Sequence, residues 1–330
     1  MSIDPVEIPF DKVVHALLDE QKPFPVRYIY RLSDLEGADL STLEKAWPSI
    51  PLRRKQTLLD DIQNMAEDDF LLDFTELGVM AMKDPDAFVR QLAVRTVSEY
   101  QTRYHVKDFI DLTEHDPDDS VRAEAASGLG VYVYMGEVEE LPASSLREVE
   151  DCLLRVMHSK DTAKVRRHAL EALGFSSREE VPPLIETAYH SDNHDWLVTS
   201  LIAMGRSSNP AWADQVMAKL DDRRSEVRAE AVAAAGELGL HAAVSTLLGL
   251  LEDEDDEVRS AAIWALSEIG GSGVRETLEG MLDQTEDEEE AQLVEDALEN
   301  LAFVEDFDVF TLIDVDEDEL PDGEGQGEDA

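Results

Sequence analysis

The stretch DDRRSEVRAEAVAAAGELG at residues 221–239 contains the unit from which most of the chain is built, because it returns 31 residues later as EDEDDEVRSAAIWALSEIG at residues 252–270. The same pattern occurs upstream in three stretches, KDPDAFVRQLAVRTV at 83–97, HDPDDSVRAEAASGLG at 115–130 and SKDTAKVRRHALEALG at 159–174. A sixth stretch, SDNHDWLVTSLIAMG at 191–205, fits when Trp196 takes the place of the shared valine. A unit that recurs at this period predicts a repeat array.

Each copy has the features of a helix that packs closely against a neighbour. Three residues before the valine stands a good helix-capping residue, namely Asp86, Asp118, Thr162, Asn193 or Asp255. Four residues after it stands alanine in five copies, and a glycine nine residues after it in four copies is expected to end the helix. The segment before each cap, such as HAAVSTLLGLLED at 241–253, reads as an amphipathic first helix. Each period therefore predicts two helices, and such pairs bury their apolar faces only by stacking.

The spacing L-x-D-x-x-x-x-V-R-x-x-A over residues 84–301 resembles that of the HEAT-repeat family, in particular the short bacterial repeats known as phycobilisome-lyase-like. The resemblance implies an all-α fold, a right-handed α-solenoid of HEAT-type helix pairs. It also implies a structural ladder in which an aspartate pairs with the arginine six residues later. The residues that would form it are Asp84, Arg90, Asp116, Arg122, Arg166, Asp222, Arg228, Asp253 and Arg259. Lys160, next to Asp161, stands at the aspartate position of the third copy, and Ser191 and Leu197 replace both partners in the fourth.

The regular pattern divides the chain into three expected regions. These are atypical helical repeats at 1–83, regular repeats continuous with them at 84–302, and an acidic tail at 303–330 whose last part is expected to be disordered. Within the first region, Leu52 and Arg53 are candidates for a degenerate valine–arginine pair. An insertion between Val131 and Leu146 predicts a longer loop or a lengthened helix, where binding residues are often found.

The charge of the chain restricts its partners. The formal net charge is −47, and the 55 residues after Arg275 carry 23 Asp or Glu. Phosphate groups would be repelled, so we expect no binding to nucleic acid, whereas a partner with basic segments would be attracted. The excess of carboxylates, with nine lysines against nineteen arginines, would also suit folding in concentrated salt. A single cysteine, Cys152, and an N-terminus without a signal-like segment predict a cytoplasmic protein that does not enter the membrane.

Residues with catalytic chemistry do not form a recognisable constellation. His115, His158 and His190 end successive first helices, but stacked helices lie about 8–10 Å apart, whereas metal–ligand distances are about 2 Å. No histidine is followed by glutamate, the dipeptide that supplies the iron ligands in HEAT-type deoxyhypusine hydroxylases. Cys152 and Trp264 are expected to pack in the core. The sequence therefore predicts no metal, no cofactor and no enzymatic activity.

The expected function is that of a monomeric, non-catalytic scaffold that binds a protein or peptide on its concave face. Positions where the repeat pattern fails are the candidate partner contacts, and these are Tyr132, Tyr134, Trp196, Phe307 and Phe310. The alternative is a protein like the bilin lyases and isomerases, which act on a chromophore-bearing partner. Those enzymes share this repeat type, so the repeat alone does not separate the two functions.

Overall fold

The computed structural model describes residues 8–68, 71–100 and 104–314, without the side chains of residues 67–68 and 305–314. Within these ranges the regular secondary structure is entirely helical. The chain divides into two compact units, Met1–Ala188 and Tyr189–Ala330. The predicted all-α solenoid of helix pairs is confirmed.

Among the described residues of the first unit, four helix pairs follow one helix. Its helices are α1 (Phe10–Leu18), α2 (Gly37–Ala46), α3 (Leu52–Asp68), α4 (Thr75–Ala81), α5 (Ala87–Glu99), α6 (Val106–His115), α7 (Asp119–Glu137), α8 (Ala143–His158) and α9 (Ala163–Leu173), with α10 (Val181–Tyr189) at the boundary. The second helices of the pairs, α3, α5, α7 and α9, pack against one another in chain order. Their core includes the fully buried side chains of Phe74, Phe109, Leu129 and Leu153.

The second unit repeats the same arrangement at shorter intervals. Its helices are α11 (His194–Arg206), α12 (Ala213–Met217), α13 (Ser225–Glu237), α14 (Val244–Leu250), α15 (Asp256–Ile269), α16 (Val274–Leu282) and α17 (Glu288–Asp314). The second helices α11, α13, α15 and α17 pack in chain order. The 31-residue period thus places equivalent residues of α13 and α15 side by side.

The predicted caps begin the second helices. Asp86 and Asn193 accept a hydrogen bond from the backbone N–H three residues later, at 3.1 and 3.3 Å. Asp118 and Asp255 accept one from the N–H two residues later, at 2.9 and 3.1 Å. These bonds satisfy N–H groups that have no partner inside the helix. The starts of α5, α7, α11 and α15 are therefore fixed locally, by the residue that precedes each of them, whereas Arg224 before α13 forms no such bond.

Three glycines of the pattern, Gly130, Gly205 and Gly236, lie inside these helices, which corrects the sequence-based expectation, whereas Gly174 directly follows the last residue of α9 as expected. Gly236 lies within α13, and a Cβ atom at this position would be 3.0 Å from the Cα and Cβ of Ala265 in α15. Gly130 in α7 faces Ala172 of α9 in the same way, at 3.3 Å from its Cα. At these distances a Cβ atom would require the neighbouring helix to move by a few tenths of an ångström. The repeated glycine therefore lets consecutive second helices approach closely.

The insertion lengthens a helix. Helix α7 continues to Glu137 and α8 begins at Ala143, so the first part of the insertion extends α7 and its last residues begin α8, with residues 138–142 between them. This extension continues the helical periodicity of α7 and determines which inserted side chains are buried.

Candidate functional site

The aspartates and arginines of the repeat meet between neighbouring repeats. Arg90 donates from Nε and Nη2 to the two carboxylate oxygens of Asp116, at 2.7 and 2.8 Å, and from Nη1 to the backbone oxygen of Asp84, at 2.9 Å. Arg122 binds Asp161 and the backbone oxygen of Asp116 in the same way. The carboxylate partner is therefore one repeat further along than expected. Asp161 takes the role that Lys160, at the regular position, cannot fill.

A lysine begins the ladder in the first unit. Lys55 Nζ lies 2.6 Å from Asp84 Oδ2, and the indole N–H of Trp47 donates to the same oxygen at 2.8 Å. Lys55 is the fourth residue of α3, as Arg90 is of α5. The ladder residue of this atypical repeat is therefore Lys55, which corrects the expectation for Leu52 and Arg53.

Among the described residues of the second unit, the ladder has one complete rung. Arg228 binds the Asp253 carboxylate at 2.9 and 2.6 Å and the backbone oxygen of Asp222 at 2.9 Å. Arg259 donates from Nη1 to the Asp253 backbone oxygen at 2.8 Å, which is the equivalent of the bond from Arg228 to the Asp222 backbone oxygen.

The ladder is interrupted where Leu197 and Ser191 stand. With Leu197 at the arginine position, Asp222 pairs instead with Arg224, at 2.9 and 3.0 Å, and this hydrogen bond lowers the pKa of Asp222 to about 2. Ser191 stands at the aspartate position that follows Arg166. The hydrogen bond from Arg122 is the main cause that lowers the pKa of Asp161, and the charge of Arg166 acts in the same direction. The interruption coincides with the start of the second unit at Tyr189. The ladder residues thus serve stacking within each unit.

The predicted partner contacts differ in exposure. Tyr132 is 2% exposed and packs edge-on against Phe109, with ring centroids 5.4 Å apart, so its assignment as a partner contact is wrong. Tyr134 is 49% exposed and packs against Phe175 at 5.7 Å. Trp196 lies half-buried in the first turn of α11. The side chains of Phe307 and Phe310 lie outside the described residues, although their backbone belongs to α17.

Groups with catalytic potential are dispersed or inert. Cys152 is fully buried, and burial raises the pKa of its thiol to about 12, so it stays protonated. His115 lies beside Asp111 at 3.2 Å, and the ring of His190 packs against that of Tyr189 at 5.2 Å. Among the described residues there is no group of three His, Cys, Asp or Glu that could hold a metal ion. Likewise, no helix in the described ranges is long and apolar enough to cross a membrane.

The solvent-facing sides of α13 and α15 carry a surface that the sequence pattern did not reveal. Helical spacing places Glu230, Ala233 and Glu237 on one helix beside Ala261, Trp264 and Glu268 on the next; we call this set the Trp264 face. Trp264 is 44% exposed, so the expectation that it packs in the core is wrong. Trp264 stands between the buried residues Ile263 and Ala265 in the sequence. Its side chain lies on the solvent-facing side of α15, away from the side that these two residues bury.

The carboxyl groups of Glu237 and Glu268 in the Trp264 face both have a pKa above its ordinary value. Burial raises the pKa of Glu268, although the Trp264 side chain hydrogen-bonds its carboxylate and acts in the opposite direction. Burial also raises the pKa of Glu237; the nearby Arg206 lowers it and the charge of Glu268 raises it again. The Glu237 and Glu268 side chains lie over Gly205 and Gly236 of the preceding second helices. A cation placed between them would relieve both the desolvation and the mutual repulsion.

On the corresponding face of the first unit, a carboxylate is paired with an arginine and accepts a further hydrogen bond. Arg95 forms a bidentate pair with Glu124, at 2.8 and 2.9 Å, and Gln91 donates to the same carboxylate at 2.9 Å. His168 lies 3.2 Å from Glu171. Arg95 on this face is thus already matched with a carboxylate.

Comparison with known proteins gives a family and several partial likenesses in fold. The family model described as HEAT repeats matches residues 106–205 and 213–299, more than half of the chain. Phycocyanin lyase from Nostoc, a complex of CpcE and CpcF, is 19% identical over 69% of this chain and 94% of its own, with a TM-score of 0.45. Human deoxyhypusine hydroxylase is 17% identical over 79% of this chain and 95% of its own, with a TM-score of 0.34. Yeast importin-β is 12% identical over 88% of this chain and 46% of its own, with a TM-score of 0.47. No curated protein matches the sequence significantly.

Proposed function

The chain belongs to the HEAT-repeat family, and from this premise we propose that it is a non-catalytic scaffold that binds a partner protein or peptide on the faces formed by its second helices. Stacked helix pairs give such faces a long, pre-formed surface. The partner carries basic segments, because the chain has a net charge of −47 and opposite charges accelerate encounter. Binding by a monomer in the cytoplasm, without nucleic acid, belongs to the same proposal.

The exposed Trp264 beside Glu237 and Glu268 carries this proposal. Tryptophan is enriched among the residues that dominate binding energy at interfaces. An arginine or lysine side chain of the partner would lay its methylene groups on Ala233 and the indole, and its charge between the two carboxylates. Such a contact unites a cation–π interaction with charge-assisted hydrogen bonds. Tyr134, packed on Phe175, is the corresponding exposed aromatic residue of the first unit and a second proposed contact; Trp196, Phe307 and Phe310 remain proposed contacts.

Selection of peptides tests the proposal without knowledge of the natural partner. A random peptide library is selected on the intact chain, and the affinity of the enriched peptides is then measured for variants by fluorescence anisotropy. We expect enriched peptides to share lysine or arginine, and Trp264→Ala to weaken them by about 10- to 100-fold. Phe303→Ala removes another exposed aromatic side chain of the same unit, 72% exposed, and should leave affinity unchanged. Enrichment without basic residues, or equal affinity for both variants, would refute the proposed site.

Binding of a bilin chromophore distinguishes the alternative function, that of a bilin lyase or isomerase, from that of a scaffold. The propionate groups of a bilin need cations, and Arg90, Arg122 and Arg228 are already paired with carboxylates. Mixing the purified chain with a free bilin should leave the visible absorption spectrum of the bilin unchanged. A stable coloured complex that survives gel filtration would instead favour the enzyme.

A further inference from the structure

A cavity of about 510 Å³ lies beside the start of α3 in the first unit. One wall is the loop that follows α1, and the other is formed by the first turns of α3. The polar and charged residues that line it are Glu20, Gln21, Lys22, Arg53, Arg54 and Thr57. Neither the ladder nor the Trp264 face includes these residues, so the cavity is a separate feature of the molecule.

The cations of this cavity stand in a part of the chain that is not acidic. The described residues 8–55 contain eight Lys or Arg and seven Asp or Glu, whereas the whole chain has 28 and 75. At physiological ionic strength, exposed charges are largely screened beyond about 8 Å. The charges within the cavity therefore decide which small ion it can bind, although the net charge of the chain repels nucleic acid.

Arg54 fixes the two walls of the cavity relative to each other. Its Nη2 atom donates to the backbone oxygen of Asp19, at 2.8 Å, and to that of Lys22. Its guanidinium also lies over the ring of Phe24, 5.9 Å from the ring centroid. The Asp19 carboxylate accepts a hydrogen bond from the Gln21 N–H at 3.0 Å, which closes the loop on itself. Contacts within the chain therefore form the cavity before a ligand binds.

Arg53 and Lys22 supply positive charge that the neighbouring side chains do not neutralise. Among the described residues, no carboxylate forms an ion pair with Arg53, whose side chain is exposed. Lys22 Nζ lies 3.6 Å from Asp19 Oδ2, but the lysine side chain is 81% exposed, and such a surface pair is weak. Glu20 is the one carboxylate among the described residues of the lining, against the three cations Lys22, Arg53 and Arg54. The lining thus has an excess of two positive charges.

The two arginines also occupy an electrostatically unfavourable place in α3. Arg53 and Arg54 are its second and third residues, and its first turn contains no acidic residue. The backbone N–H groups at the start of a helix favour anions and disfavour cations. Burial and the charge of Asp60 raise the pKa of Asp61, and the charge of Arg54 lowers it, so Asp61 offsets part of the Arg54 charge. An anion in the cavity would offset the charge of Arg53.

The donors of the cavity match a phosphate group. A guanidinium such as that of Arg53 donates two parallel N–H bonds to the oxygens of a phosphate or a carboxylate, and Lys22 adds a point charge. Arg53 and Thr57 are four residues apart, so the Thr57 hydroxyl lies on the same face of α3 and adds a neutral donor. A phosphate monoester has three acceptor oxygens and a charge of about −1.5 to −2 at neutral pH. This charge is close to the excess in the lining, whereas a carboxylate supplies one negative charge and two oxygens.

We propose that this cavity binds a phosphate monoester group, with Arg53 and Lys22 as the charged donors and the Thr57 hydroxyl as a neutral donor, while Arg54 holds the loop in place. The group is carried either by a free small molecule or by a phosphorylated side chain of a peptide. This site belongs to the first unit and uses cations, whereas the Trp264 face belongs to the second and uses carboxylates. The two proposals therefore stand or fall independently.

Backbone amide signals of the intact ¹⁵N-labelled chain report on binding at this site. The probe is N-acetyl-phosphoserine amide at constant ionic strength, and the controls are N-acetyl-serine amide, which lacks the phosphate, and N-acetyl-glutamate amide, which carries a carboxylate instead. We expect saturable shifts of the signals of residues 20–23 and 52–57 with the phosphoserine compound, and no saturable shift with either control. Shifts that grow linearly, shifts spread over the whole chain, or equal saturation by the glutamate compound would overturn the proposal.

Matched variants separate the cavity from general charge attraction. Arg53→Gln should weaken binding of the phosphoserine compound by about tenfold. Arg27→Gln removes another exposed arginine of the same unit, outside the lining, and should leave the affinity unchanged. Equal effects of the two variants would refute the site, and because Arg53 is exposed, its replacement should not disturb folding. Glycerol phosphate distinguishes the sources, since tighter binding than the phosphoserine compound indicates a free small molecule and weaker binding indicates a phosphorylated side chain.

Discussion

Replacement of Lys55 by methionine should destabilise the first unit strongly. The side chains of Lys55 and Asp84 are 6% and 1% exposed, and their charged atoms are 2.6 Å apart. Burial by itself would raise the pKa of Asp84, but hydrogen bonds from Lys55, the Asp86 N–H and Trp47 outweigh it and hold this pKa below its ordinary value. Methionine fills the space of the lysine stem and leaves the carboxylate without a counter-charge. Removing one partner of a buried pair costs about 3–5 kcal/mol of unfolding free energy.

Hydrogen exchange in α4 and α5 measures this cost where it arises. A loss of about 3–5 kcal/mol corresponds to amide exchange that is faster by about two to four orders of magnitude. Because the pKa of Asp84 is lowered on folding, the stabilisation is present above the ordinary aspartate pKa and is lost as pH falls through the folded value. The difference between wild type and Lys55→Met should therefore shrink in acid.

Two further variants decide whether charge is the cause. Lys45→Met removes an exposed lysine of α2 and should leave exchange unchanged. Trp47 and the Asp86 N–H donate to different oxygens of Asp84. Combining Lys55→Met with Asp84→Asn removes both charges and keeps one oxygen, which can accept from the Asp86 N–H, so this double variant should be more stable than Lys55→Met. If Lys55→Met behaved like Lys45→Met, or if the double variant were the least stable, the account of a buried ion pair would be refuted.

Three other outcomes follow from the geometry. Gly236→Ala should lower the unfolding free energy by about 1–3 kcal/mol, because the new methyl group crowds Ala265. Gly249→Ala, in open space within α14, should raise it by up to about 1 kcal/mol. If urea unfolding ranked the two variants in the reverse order, the close approach of α13 and α15 would be contradicted. Cys152 should resist iodoacetamide in the native chain at mildly alkaline pH and react in urea, as mass spectrometry can show, because burial raises its pKa to about 12. The raised pKa values of Glu237 and Glu268 mean that binding of a basic peptide should strengthen as pH rises through them, and a flat anisotropy profile for wild type that matched Glu237→Gln would refute their role.

Local features of the fold could be predicted from the sequence, and features that depend on neighbouring repeats could not. The caps at Asp86 and Asp118 depend only on the residues that follow them, so the pattern sufficed. The arginine ladder joins residues 25 to 39 positions apart, and the stacking of the repeats determines which aspartate each arginine binds. That offset is absent from the spacing within one repeat.

Helical periodicity could have separated Tyr132 from Tyr134 if α7 had been recognised as continuous through the insertion. Tyr132 lies eleven residues after Val121, on the buried side with Gly128 and Leu129, whereas Tyr134 lies on the opposite side. The same periodicity places Trp264 on the solvent side of α15. The cavity near Arg53 has no such signal, because its walls come from a loop and a helix that are distant in sequence. The expected division at residues 83 and 302 remains a prediction.

The ladder also explains why the acidity of this chain is available to a partner. Arg90, Arg122 and Arg228 each pair with one aspartate, and their side chains are 10–16% exposed, so every rung is neutral and largely shielded. The net charge of −47 therefore resides outside the rungs, mostly on groups that water and salt can reach. Salt screens exposed charges far more than buried pairs. Added salt should then weaken the binding of a basic peptide to the Trp264 face. The urea midpoint of unfolding, which depends on the ladder and the core, should change little. If the affinity and the urea midpoint fell in parallel, the same charges would both hold the repeats together and bind the partner.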